Sequence, residues 1–319
     1  MTETREQRTE RTFFRGASLT LRNPRYRTTF STLVETLLRD DLAPNDLTVR
    51  ALGIAERTVN AAIVARQAGV VAGIEELTFL FRERGIEAIA EKRDGEVVRP
   101  DETVLRLKGP EQKTLGLERT ALNLLQRMSG IATAAHCWQE CVRKTGSRAK
   151  VVGTRKTPWG LLDKRALHLG GVGTHRLGLG DAILIKNNHL ALLAASEQES
   201  APVAVERAWR FRSEAAFIEV EVRTEEGAHA AARAYQGLQR QAAEDYACLI
   251  LLDNMAPDRI AAIVAMLQQE KLWDSVLIEA SGGISKGNLE TYAASGADAI
   301  SIGALTHSSR ALDISLRIS

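Results

Sequence analysis

Val151–His189, VVGTRKTPWGLLDKRALHLGGVGTHRLGLGDAILIKNNH, is the stretch that decides the fold. The apolar runs Val151–Val152 and Ala182–Ile185 each stop at cations, Arg155–Lys156 and Lys186. A third cation pair, His175–Arg176, follows the glycine cluster of Gly170, Gly171 and Gly173. An apolar run that ends abruptly in charge reads as a buried parallel strand delivering its last side chains to a site. Only Asp163 and Asp181 offer local counter-charge, so the stretch predicts a pocket for a multiply anionic small molecule. Any one of these cations could be solvated or paired with a distant acid; their recurrence at strand ends favours a site.

Downstream the rhythm is regular. Further strands are expected at Phe217–Val222, Cys248–Asp253, Val276–Glu279 and Ala299–Ile302. Amphipathic helices fill gaps between them, such as Thr224–Leu238, which opens on a capping threonine and two acids, and Pro257–Gln269. Repeated strand–helix units mean a parallel α/β sheet, open or closed into a barrel.

The strand ends again carry the pattern. Glu219 and Glu221 alternate, so both carboxylates face one side. The next strand ends in Asp253. The last two run into the glycine turns Ser281-Gly282-Gly283 and Gly303, each expected to lead into a helix. In α/β barrels such turns often bind phosphate through backbone N–H groups and a helix N-terminus. Cations early, carboxylates in the middle and phosphate loops late describe a phosphorylated sugar meeting an anionic acceptor. The carboxylates could hold sugar hydroxyls or a Mg²⁺ that bridges to phosphate. These residues point to phosphoribosyl transfer or sugar-phosphate chemistry without choosing between them.

Upstream, residues 1–30 are arginine-rich and irregular and read as a basic, flexible arm. A helix is expected over Ser31–Asp40, broken by the turn Ala43-Pro44-Asn45-Asp46. Strands at Val59–Ala65, Val70–Gly73 and Val104–Leu107, with a helix at Glu75–Arg84, suggest a small α+β domain. A helix from Glu118 to Ser129 is expected to stop at Gly130 and resume over Ala132–Arg143, with the domain boundary nearby.

At 319 residues the chain suits a barrel plus a smaller unit. A net charge of +2 argues against a general nucleic-acid binder. No apolar segment is long enough for a membrane span, and no signal peptide is visible, so a cytoplasmic location is expected. The three cysteines form no disulfide framework; Cys137 and Cys141 share a helix face and read as core packing rather than as metal ligands.

The motifs also resemble a known family. Glu118–Asn123 with Ser129–Thr133, Thr154–Thr157, His175-Arg176, Leu184–Lys186, Asn188-His189, Glu219–Glu221, Leu252–Asn254, Glu279–Gly283 and Gly303–Ser308 occur in the order of the quinolinate phosphoribosyltransferases. The resemblance covers nearly everything after about Thr32. It implies an α/β fold of the type II phosphoribosyltransferase kind. An α/β-sandwich would span residues 31–130, an incomplete α/β barrel 131–303, and a C-terminal helix, 304–319, would return to the first domain. It implies transfer of phosphoribosyl from phosphoribosyl pyrophosphate to quinolinate, with Mg²⁺ as cofactor, giving nicotinate mononucleotide, CO₂ and pyrophosphate. Homodimers or dimer-based hexamers are implied as well.

Residue by residue, the resemblance puts Arg155, His175 and Arg176 on the quinolinate carboxylates, with Arg119 reaching a neighbouring subunit's site. Lys156 and Lys186 would meet the pyrophosphate or the carboxylate to be lost. Glu221 and Asp253 would hold the ribose hydroxyls and the metal, and Ser281, Gly282, Gly283 and Gly303 the 5′-phosphate.

This chain departs from the family pattern at Gly153, where Asp is usual, at Asn187, where Asp is commoner, and at Pro158–Leu162, a shortened loop lacking the usual arginine. Trp159 in that loop either stacks on a ring or packs. The altered loop motivates a second reading, a paralogue acting on another pyridine or aromatic acid. A non-catalytic phosphate-binding regulator is a third, opposed by the complete set of charged site residues.

Overall fold

The computed structural model describes residues 3–42, 46–53, 57–243 and 245–318. The expected turn at 43–45 lies outside them. In chain order the elements are α1 (Arg5–Phe13), α2 (Pro24–Leu42), α3 (Leu47–Ala51), β1 (Thr58–Ala65), β2 (Gly69–Val70), α4 (Ile74–Glu83), β3 (Glu87–Ala90), β4 (Val97–Val98), β5 (Thr103–Pro110) and α5 (Glu111–Lys144). Then follow β6 (Lys150–Gly153), α6 (Leu161–Leu169), β7 (Ile183–Ile185), α7 (Asn187–Leu190), α8 (Glu197–Trp209), β8 (Ile218–Val222), α9 (Glu225–Ala242) and β9 (Cys248–Asp253). The chain closes with α10 (Pro257–Gln269), β10 (Leu277–Ser281), α11 (Leu289–Ala293), β11 (Ala299–Ile302), α12 (Ala304–His307) and β12 (Ile314–Ile318).

The chain divides into two compact units. The first comprises residues 1–15, 137–155 and 172–303. Its six strands form one parallel sheet in the order β6-β11-β10-β9-β8-β7, and a parallel bridge from Val152 to Gly173 adds one more rung beside β6. β8, β9, β10 and β11 are almost wholly buried, which is why β9 reads as an apolar run from Cys248 to Leu252 and why the acids within β8 and β10 stand out. The sheet curls around a common interior. Phe13 packs in one cluster with Val152, Ala182, Phe217, Ala247, Leu249, Leu277 and Ala299, residues in or immediately beside all six strands. A flat sheet could not bring these together.

Phe13 is delivered by α1, so Arg5–Phe13 of the 1–30 arm expected to be flexible is an ordered helix. Thr4 caps it in a reciprocal capping box with Gln7. Arg5 forks onto Asp298 (2.6 Å from both Nε and Nη2), donates to the carbonyls of Trp273 and Val276, and lies 3.4 Å over the Trp273 ring. The arginines that made the segment look disordered are its docking groups.

The second unit comprises residues 16–136, 156–171 and 304–319. Its sheet runs β12-β1-β5-β3, with β1 antiparallel to both neighbours, and β2 pairs with β4 separately. The expected C-terminal helix is thus a strand: after the single turn of α12, Ala61–Ala65 of β1 pair with Ile314–Ile318. ISLRI carries two β-branched residues in alternation, which suits an edge strand.

Gly130 does not break α5, which runs unbroken from Glu111 to Lys144. Its role is close approach. A Cβ there would sit 2.1 Å from the carbonyl oxygen of Arg310, so the glycine lets the C-terminal segment cross the helix. Cys137 and Cys141 are exposed rather than buried, because α5 turns Ala135, Trp138 and Val142 inward at that level. No helix among the described residues is long and apolar enough to cross a membrane.

Candidate active site

In a parallel sheet all carboxyl ends form one edge, where side chains project past the last hydrogen bonds. Along that edge the first unit carries Arg155 beyond β6, Gly303 after β11, Ser281, Gly282 and Gly283 at β10, Asp253 ending β9, Glu221 near the end of β8 and Lys186 after β7. Ser281 stands level with Asp253 on one side and Ser301 on the other.

Glu221 and Asp253 form an acidic pair on neighbouring strands. Burial, then the Asp253 charge, pushes the Glu221 pKa above its ordinary value; Lys186, the Asn187 N–H and Arg223 pull the other way. Arg223 donates from Nε (3.0 Å) and Nη2 (2.9 Å) to a single oxygen, Oδ2, of Asp253. Mutual repulsion between half-buried carboxylates is what a divalent cation relieves. Two oxygen-donor side chains also suit Mg²⁺, which keeps several waters and takes its remaining ligands from phosphate. The residues fit that ion.

The cations face the opposite balance. Both acids of the central stretch are consumed by arginines from outside it. Asp181 is held by Arg15 (2.7 and 3.2 Å) and accepts the Leu177 N–H, while Asp163 is held by Arg127 (2.8 and 2.9 Å). Arg176, only 5% exposed, donates from Nη1 to the Ala182 carbonyl (3.2 Å), and its Nε has no hydrogen-bond partner among the described residues. Burial and then the neighbouring Arg155 charge lower its pKa, against Glu219 and Asp181. A guanidinium stays protonated regardless, so a buried one beside a second arginine is poised for an anion.

His175, expected on an acceptor carboxylate, lies against two carboxylates of the chain itself. It is buried, and its Nε2 lies 3.0 Å from Glu219 and 3.1 Å from Glu279. Burial disfavours the charged ring, while Glu279 and Glu219 pull the other way and favour a proton within the trio. Burial and Glu279 push Glu219 up to about 7. Nδ1 accepts the Arg176 backbone N–H at 2.7 Å, so the ring carries its proton at Nε2. Any further proton in the trio therefore rests on the carboxylates. One residue signals this in advance: Glu279 is an acid among the buried apolar residues Leu277, Ile278 and Ala280, and such a group needs a partner.

At the glycine turn, Gly282 has φ +90° and Gly283 φ +64°. A Cβ on Gly282 would lie 2.3 Å from Oδ1 and 2.9 Å from N of Asn254, whose N–H donates to the Ser281 carbonyl. α11 starts only at Leu289, after a turn in which Asn288 Nδ2 donates to the Gly283 carbonyl. The expected helix N-terminus at this loop is therefore absent, and the exposed turn backbone itself faces the site edge. Arg119 and Lys156 belong to the second unit. Arg119 is exposed on α5, near Asp40 and Asp41; the Lys156 carbonyl accepts from Thr306 Oγ1 (2.8 Å).

Two family models match the chain: "Quinolinate phosphoribosyl transferase, N-terminal domain" over residues 46–129 and "Quinolinate phosphoribosyl transferase, C-terminal domain" over residues 131–317. The chain belongs to the quinolinate phosphoribosyltransferase family. A relative from Methanothermobacter thermautotrophicus, described as a probable carboxylating nicotinate-nucleotide pyrophosphorylase, is 38% identical over 90% of this chain and 98% of its own length. The carboxylating nicotinate-nucleotide pyrophosphorylase of Homo sapiens is 35% identical over 91% of this chain and 92% of its own. Among solved structures, the nicotinate-nucleotide pyrophosphorylase from Francisella tularensis superposes with a TM-score of 0.78 at 27% identity, covering 92% of this chain and 96% of that one.

The loop before α6 is held within the second unit. Asp163 accepts from Thr157 Oγ1 and from the Trp159 N–H, and Arg127 lies 4.9 Å over the Trp159 ring. Trp159 thus packs under an arginine that Asp163 fixes.

Proposed function

We infer that this chain joins quinolinate to phosphoribosyl pyrophosphate and decarboxylates the product, giving nicotinate mononucleotide, CO₂ and pyrophosphate for NAD biosynthesis. One observation carries the reading: the buried Arg176 feels the charge of Arg155 beyond β6 while the stretch's own acids are already taken by Arg15 and Arg127. Arginine's planar fork suits carboxylate, and two such forks suit a ring bearing two adjacent carboxylates.

The rest of the edge divides by chemistry. The turns at Gly282–Gly283 and Gly303 take the 5′-phosphate on backbone, and Glu221 and Asp253 take the ribose hydroxyls and the Mg²⁺. Lys186, a compact charge, meets the pyrophosphate or the carboxylate that is lost. When bound, Mg²⁺ neutralises charge on the departing pyrophosphate. As pyrophosphate leaves with its electron pair, positive charge grows on the ribose carbon, and the nearby carboxylates stabilise it while the ring nitrogen bonds there. The alkylated nitrogen, now positive, stabilises the electron pair left on the neighbouring ring carbon when the C–CO₂ bond breaks, and that carbon then takes up a proton from water. No covalent nucleophile is required, so the protein positions and shields. Arg119, exposed on α5, is the residue offered to a neighbouring subunit's site in a dimer-based assembly.

Purified protein given quinolinate, phosphoribosyl pyrophosphate and Mg²⁺ should release CO₂ and nicotinate mononucleotide in equal amounts, and a chelator should stop both. Nucleotide formation without CO₂, or no consumption of quinolinate, would overturn the reading in favour of a different acceptor acid.

A further inference from the structure

We propose that His175, Glu219 and Glu279 form a buried bracket that aims Arg176, so that His175 is a positioning residue for the acid-binding arginine. The inference rests on the reading of Arg176 given above and deepens it.

The backbone shows why a bracket is needed. His175 has φ +53°, in the left-handed region that side-chain-bearing residues rarely adopt. Something must hold it there. The His175 and Thr174 N–H groups both donate to the Phe13 carbonyl (3.1 and 2.8 Å). The ring lies between Phe13 and Phe217, with centroids 5.4 Å from each. Nε2 lies at ion-pair distance from one oxygen of Glu219 on β8 and one of Glu279 on β10, two strands that β9 separates, and both oxygens are buried with no hydrogen-bond partner among the described residues.

The consequence falls on the next residue. Nδ1 accepts the Arg176 backbone N–H at 2.7 Å, so the ring fixes the peptide that carries the arginine. The left-handed turn sends the two adjacent side chains different ways, the histidine into the carboxylates and the arginine to the Ala182 carbonyl with Nε unpartnered among the described residues.

Two competing uses of the trio fail on this geometry. The three ligand atoms lie within 4.8 Å of one another, close enough for a metal. With Nδ1 accepting an N–H, however, the ring's one proton occupies Nε2, the atom a metal would need. Direct contact with the substrate fails as well, since Nδ1 accepts the Arg176 N–H, Nε2 faces two carboxylates of the chain, and the residue is 6% exposed.

A double-mutant cycle with steady-state kinetics decides the matter. His175→Ala should raise KM for quinolinate roughly ten- to a hundredfold, the scale expected when a binding group goes out of line. KM for phosphoribosyl pyrophosphate should hold within about twofold, and in an Arg176→Ala background the histidine change should add nothing. His175→Gln, which keeps a terminal N–H donor for the carboxylates, should recover part of the loss. His175→Asn tolerates the left-handed backbone and gives the same cycle if the alanine variant does not fold. Additive losses in the double mutant, or equal rises in both KM values, would overturn the proposal. Arg176→Ala alone leaving quinolinate KM unchanged would overturn instead the reading of Arg176 as acid-binding, and the bracket with it.

Discussion

At the scale of single residues, the site is a matter of which charges have been left uncompensated. Asp163 and Asp181 are spent on Arg127 and Arg15, so Arg155 and Arg176 keep their charge for a ligand. Arg155→Ala should therefore weaken quinolinate use at least about tenfold, about 1.4 kcal/mol, while sparing phosphoribosyl pyrophosphate, as separate KM titrations would show. Gly282→Ala tests the other half of the edge. Its φ of +90° and the 2.3 Å approach to Asn254 leave no room for a methyl group, so the turn must shift. We expect phosphoribosyl pyrophosphate KM to rise roughly tenfold or more with quinolinate KM little changed, read against an unaltered circular dichroism spectrum. Arg155, Lys186 and Asp253 were legible in the sequence because each stands at or just past the end of an apolar run, and Glu221 because it alternates with Glu219. The role given to His175 came from the resemblance, which says nothing of the two buried glutamates that its ring faces. Only the backbone angle at 175 reveals that the two side chains diverge.

At the scale of elements, the barrel strands were readable and the termini were not, for one physical reason. A strand buried on both faces writes itself as an uninterrupted apolar run, whatever its neighbours are. α1 and β12 depend instead on partners far along the chain. α1 is mostly polar, and its order comes from Asp298, the Trp273 ring and the pocket that receives Phe13. β12 is an edge strand whose pairing with β1 closes the sheet of the second unit. Phe13→Ala should cost on the order of 3–5 kcal/mol, seen as a lower denaturation midpoint, because a fully buried ring in a strand-lined interior leaves a cavity. A flexible arm would predict no change.

At the scale of the whole molecule, stability and assembly each make a prediction. Glu76 is fully buried, accepts from the Tyr26 hydroxyl at 2.6 Å, and is pushed up to about 7 by burial and then by Asp94. The folded state thus binds this proton more tightly than the unfolded chain, whose carboxyl keeps the ordinary 4.5. Stability from this group is complete below pH 4.5, falls as the pH climbs towards 7, and is flat above it; the loss is on the order of 3 kcal/mol at most. Denaturant midpoints across that window should lose this slope in Glu76→Gln. For the assembly, mixing inactive Arg119→Ala and Lys186→Ala subunits should restore activity if Arg119 serves a neighbouring site, and should restore none if every site is self-contained.

The most direct test of the account is the ratio of kcat/KM for quinolinate and nicotinate, measured in parallel with phosphoribosyl pyrophosphate and Mg²⁺. Nicotinate lacks one carboxylate and would leave a buried cation unpaired, a loss of roughly 2–5 kcal/mol. The account predicts a preference for quinolinate of at least tens-fold, on the order of 30-fold or more, with CO₂ released for each nucleotide formed. Equal turnover of the two acids, or a preference for nicotinate, would contradict it.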